Sequence, residues 1–114
     1  MGLIDTSTLA WVNVTWDDAR HAEAASIAFG RGDAHVRVLR MGAGGEIGEH
    51  ETGFGQVFVP IEGRGWVRQG EQEASVKVGS AVYFPQGVLH AKGSDTGLLA
   101  LVVQVTDLQL GGEV

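Results

Sequence analysis

Apolar residues along this chain fall in short runs that alternate with polar ones at a period of two, and the 3.6-residue period of an amphipathic helix is almost absent. Runs rich in Val, Ile, Phe and Trp are separated by glycine-bearing turns every eight to twelve residues or so, the spacing of a sandwich or barrel. The pattern predicts strands at about Ala10–Val14, Ala25–Phe29, Ala34–Met41, Gly48–Thr52, Gln56–Ile61, Gly65–Gln69, Glu73–Val78, Ala81–Phe84, Val88–Ala91 and Leu98–Val105. Only alanine-rich Asp17–Ser26, with Thr15 as an N-cap, has helical character. The expectation is all-β with little helix.

Gly42, Gly44 and Gly45, then Gly53 and Gly55, then Gly63 and Gly65 sit between predicted strands and read as turns. No amphipathic helix follows any of these clusters, so none is a phosphate-cradling loop. In His35–Met41, His35, Arg37, Leu39 and Met41 share one face, and Val36, Val38 and Arg40 the other. Alternation does not decide which face is inside, because both carry apolar residues and an arginine. The strand with Gln56 and Phe58 on one face and Val57, Val59 and Ile61 on the other is apolar on both sides, which points to burial on both and hence to a homodimer.

With 114 residues and 44% hydrophobic content, the chain has room for one core and one domain, residues 1–114, so any chemistry is built into that domain. The net charge of -6, with no basic run, excludes nucleic acid as the expected partner. No segment reads as a signal or a membrane span, and cytoplasmic residence is the default expectation. The chain has no cysteine, so any metal must be held by nitrogen and oxygen.

The segments Gly44–Gly63, GGEIGEHETGFGQVFVPIEG, and Gly79–Ser94, GSAVYFPQGVLHAKGS, carry the strongest signal. They resemble the two signature motifs of the cupin superfamily, G-x5-H-x-H-x3-E-x6-G and G-x5-P-x-G-x2-H-x3-N. Gly44, His50 and Gly63 match the first, with Thr52 where the second histidine would be and Gln56 in place of glutamate. Gly79, Pro85, Gly87 and His90 match the second, with Ser94 for asparagine. The resemblance implies a cupin double-stranded β-helix, or jelly-roll barrel.

It also implies one divalent transition metal held by His50, Gln56 and His90. Manganese is favoured, and iron, nickel, cobalt, copper or zinc also suit such donors. Within the superfamily, GFGQVFVPIEGRGWV is similar to the manganese-dependent hydroxynitrile lyase-like cupins and the carboxymuconolactone decarboxylase-associated cupins. That likeness puts Arg37, Leu39 and Gln104 in the pocket, to which Thr52, Met41 and Phe58 are added as wall residues. It departs at Thr52 and at Ala100, where a further pocket histidine would stand, which puts cyanohydrin cleavage in doubt.

The expected function is Lewis-acid, lyase- or isomerase-type chemistry on a small oxygenated or carboxylated molecule. Arg37 is the candidate anchor for an anionic end and His35 a candidate acid or base. The rivals are a non-catalytic cupin binding a sugar or small metabolite and a metal-dependent dioxygenase. In the non-catalytic case Thr52 and Gln56 serve as hydrogen-bond partners.

Overall fold

The computed structural model describes residues 1–114. Its elements are β1 (Gly2–Asp5), one 3-10 turn (Thr6–Thr8), β2 (Val12–Asn13), β3 (Glu23–Ala24), β4 (Ala28–Met41), β5 (Gly45–Glu51), β6 (Gly55–Gln69), β7 (Gln72–Lys77), β8 (Ser80–Phe84), β9 (Leu89–Ser94) and β10 (Leu98–Leu110). Every pairing is antiparallel. One layer runs β1-β8-β6-β10-β4; in the other, β6 pairs with β7 and β9, and β9 with β5. The core between them, with Phe58, Val67, Val76, Val82, Phe84 and Val102 among its members, draws on both layers.

The 15-residue strand β6 belongs to both layers: Gln56–Phe58 pair with β8, and Trp66–Gln69 pair with β9. It was expected as two strands with a turn at Gly63 and Gly65. The strand instead continues from one layer to the other through an irregularity, with Gly63 at a φ of 78° and a register shift against β10 between Leu99 and Ala100, and these glycines are what let it pass. A Cβ on Gly63 would press on the Gly97 carbonyl oxygen, and one on Gly65 on that of Gly93. The expected break between Phe29 and Ala34 is also absent, because β10 runs alongside all of β4 and absorbs the irregularity as a register shift between Val105 and Asp107.

The helix expected over Asp17–Ser26 does not form. Asp17, Asp18 and His21 adopt φ of 53°, 53° and 52°, left-handed values that no right-handed helix accommodates. A two-residue ladder, Val12 to Ala24 and Asn13 to Glu23, closes that loop instead. Strand β1, which the pattern of alternation did not reveal, pairs with β8 along its whole length.

Val57 does not face a partner molecule as expected. It is buried on the outer side of its sheet in a small cluster with Ala81 and Leu108, under Ile4, Ile27 and Tyr83. No helix is long and apolar enough to cross a membrane.

The close approach at Gly65 makes a prediction. Gly65→Ala should destabilise the fold by about 1–3 kcal/mol, the usual cost of forcing extra volume into packed structure. Gly48→Ala, where a Cβ would meet nothing within 4 Å, should change stability by no more than about 0.5 kcal/mol. Urea unfolding of the two variants checks the difference.

Candidate functional site

Register decides which face of β4 looks inward. His35 pairs with Gln104, Gln104 with Gln56, and Gln56 with Phe84, so these four form one cross-strand row on one face. Arg37, Val102, Phe58 and Val82 form the next row. Because Phe58, Val82 and Phe84 are fully buried in the core, His35 and Arg37 lie on the inner face. They do so on an edge strand and both are exposed. The Arg37 Nε donates to His35 Nε2 at 3.2 Å, and Nη1 to Gln104 Oε1 at 3.3 Å.

His50 and His90 are direct partners on β5 and β9, and their Nε2 atoms lie 3.2 Å apart. The His50 Nδ1 lies 2.9 Å from the Gly48 carbonyl oxygen, which can only accept; Nδ1 therefore carries the proton, and the Nε2 lone pair points at His90. His90 is buried, with Phe84 edge-on at 4.4 Å between ring centroids. Its Nδ1 and the Oε1 of its cross-strand partner Gln69 are both buried without a hydrogen-bond partner.

Thr52, Leu39 and Met41 play other parts than expected. Strand β5 ends at Glu51, so alternation no longer governs Thr52; its buried hydroxyl donates to the Val88 carbonyl oxygen at 3.0 Å and ties two loops together. Met41 belongs to the core and Leu39 packs against it.

The decisive residue is one that the sequence reading passed over. Lys92 follows His90 by two positions on β9, so its side chain enters the same interior, where the residue is only 3% exposed. Its Nζ donates to Gln56 Oε1 and lies 4.8 Å from the Phe58 ring centroid and 5.5 Å from that of Phe84. No carboxylate accompanies it. Burial pushes its pKa from 10.5 down to about 8. His90 is held down to about 3, chiefly by burial and further by the Lys92 charge and by His50, so its imidazole is neutral near pH 7.

These residues do not fit the divalent metal that the two motifs imply. The imidazole pair offers two adjacent nitrogens, but Gln56, the expected third ligand, has its oxygen turned to Lys92, and no three His, Asp or Glu side chains cluster anywhere in the chain. An ion at about 2.1 Å from the Gln56 oxygen would sit within about 5 Å of the ammonium, a repulsion of about 7 kcal/mol at an effective dielectric constant of about 20. With no anionic donor in the set, nothing offsets that cost.

A crevice of about 910 Å³ lies elsewhere, between β1, β6, β7 and β8, where Asp5, Trp66, Lys77 and Thr96 contribute to its walls. It contains none of the expected site residues. Beside Lys92, the Phe58, Phe84 and His90 side chains are fully buried.

No family model matches the sequence, and no curated protein does either. Solved structures do match. A cupin superfamily protein from Desulfitobacterium hafniense is 12% identical over 71% of this chain and 77% of its own, with a TM-score of 0.62. A cupin-like protein from Thermotoga maritima is 20% identical over 71% and 66%, with a TM-score of 0.61. A DMSP lyase structure is 20% identical over 69% and 44%, with a TM-score of 0.59. The chain is a small protein of the cupin fold.

The buried ammonium makes stability depend on pH. Between about 8 and 10.5 the unfolded chain carries a proton on Lys92 that the folded chain has lost, so the unfolded state binds more protons there. Stability should therefore rise with pH through that window, after standing lowest, as far as this group is concerned, below about 8. Lys92→Met should remove the rise, which urea unfolding at pH 7, 9 and 10 would register.

Proposed function

We propose that the chain is a small cupin that takes a small carboxylated or otherwise anionic oxygenated molecule into the His50–Lys92 end of its barrel. The Lys92 ammonium supplies there the positive charge that a metal would otherwise bring. Lyase- or isomerase-type chemistry without electron transfer suits such a site, because a fixed cation stabilises a developing enolate or alkoxide. Arg37, exposed at the mouth beside His35 and Gln104, meets the anion on entry. That a DMSP lyase shares the fold is in keeping with lyase chemistry, although fold alone does not choose a reaction.

One observation carries the reading: Lys92 is a buried cation with no anionic partner in its own chain. Buried charges in proteins are ordinarily paired, and an entering carboxylate would complete the pair. Calorimetric titration with a small carboxylate and its neutral amide tests it. Lys92→Gln should weaken the carboxylate by about 2–5 kcal/mol and leave the amide little changed. Arg37→Gln, at an exposed position, should cost the carboxylate about 1 kcal/mol or less. Equal losses for both ligands in Lys92→Gln would contradict the reading.

A metal-dependent reading, with manganese foremost, draws support from the His50–His90 pair, whose Nε2 atoms lie at the separation of two adjacent ligands on one ion. It requires Lys92 to give up its proton. Stoichiometric metal in the purified protein, lost in His50→Ala, would favour it.

Self-association belongs to the same proposal. Val36 and Val38 on the edge strand β4 are 61% and 64% exposed, beside the half-buried Leu101 and Val103, and together make an uncharged strip that a second copy can cover. Light scattering at micromolar concentration should report a dimer that Val38→Glu dissociates; a wild-type monomer would rule it out.

A further inference from the structure

We propose that Lys92 is a covalent catalyst as well as a cation: its amine condenses with the carbonyl carbon of a small 2-oxo carboxylate to form a Schiff base. The inference rests on the anion-binding reading above and narrows it to a substrate class.

The geometry points this way on three counts. The Lys92 nitrogen has three donor positions as an ammonium, yet the structure gives it one acceptor, Gln56 Oε1, in an interior faced by the Phe58 and Phe84 rings. A lysine kept only for stability would find a carboxylate or more acceptors, whereas a nucleophilic amine is held by one neutral contact in a site that excludes water. Second, His90 projects from the same face of β9 two residues earlier, with its Nε2 3.2 Å from that of His50, so an imidazole pair lies on the same interior side as the amine. Third, a 2-oxo acid carries its carbonyl carbon directly beside its carboxylate, so an anion drawn to the unpaired Lys92 charge brings that carbon to the same nitrogen.

The step balances without any oxidant or reductant. The Lys92 ammonium first gives up a proton; the amine lone pair then forms the C–N bond while the carbonyl π pair moves to oxygen, and nitrogen sheds a proton as oxygen takes one up, giving a carbinolamine whose hydroxyl the released ammonium proton can protonate. The nitrogen then uses its lone pair to expel that hydroxyl, protonated, as water; amine and ketone give imine and water. The protonated imine keeps the positive charge that the ammonium brought, so the electrostatics of the pocket survive the reaction, and the carbon beside the imine becomes acidic.

The chain contains only two lysines, buried Lys92 and exposed Lys77, so each protein molecule carries its own control. The experiment is reduction of the wild-type protein with cyanoborohydride in the presence of pyruvate near pH 7.5, followed by peptide mass mapping. Lys92 should acquire the reduced pyruvyl adduct at least about tenfold faster than Lys77, and unlabelled lactate should slow it by competing for the anion site. Labelling of Lys77 at an equal or greater rate, or no adduct on Lys92, overturns the proposal. Calorimetry with lactate separates the two readings: lactate binding without a Lys92 adduct overturns the Schiff base alone, and absence of both overturns the anion pocket with it.

Discussion

A single ammonium held in an apolar interior sets the electrostatics of this barrel. Removing Lys92 from water is costly, and what surrounds it follows from that cost. Gln56 lends its carbonyl oxygen, Phe58 and Phe84 turn their rings to the charge, and His90 stays neutral far below the usual range of an imidazole. The same charge opposes a divalent ion at donors that would otherwise resemble a metal site. The backbone makes the arrangement possible because β6 serves both layers, carrying Gln56 on one and Gln69, the partner of His90, on the other.

Much of the fold was legible in the sequence because alternation and glycine spacing are local signals. They revealed a β protein, and the two motifs fixed a cupin barrel, whose solved counterparts match by shape at low sequence identity. What local signals could not carry was continuity. Gly63 and Gly65 mark a turn in most sequences, and only the approach of the Gly97 and Gly93 carbonyls shows that they are there for clearance within one strand. The alanines of Asp17–Ser26 favour a helix, but Asp17, Asp18 and His21 take left-handed conformations and the segment closes as a loop.

The candidate site was legible in part for a related reason. Motif spacing singled out His50, Gln56 and His90, and the fold brings all three to one end of the barrel. Lys92 was missed although the signal was present: in Leu89–Ser94, a period of two that buries His90 must also bury Lys92. A lysine two residues after a presumed ligand does not draw notice in a sequence, because lysines mostly lie in solvent. Arg37 could not be placed from β4 alone, since both faces mix apolar and basic residues; the row through Gln104, Gln56 and Phe84 resolves it.

The central claim is that Lys92, and not a metal, is the cation of this pocket. Titration of manganese into wild type and Lys92→Met at pH 7 addresses it most directly, since the variant frees the Gln56 oxygen and removes the opposing charge while leaving His50 and His90 in place. The account predicts no stoichiometric binding to the wild type and a gain of affinity in Lys92→Met. One manganese bound per wild-type chain, with no gain on replacing Lys92, would contradict it.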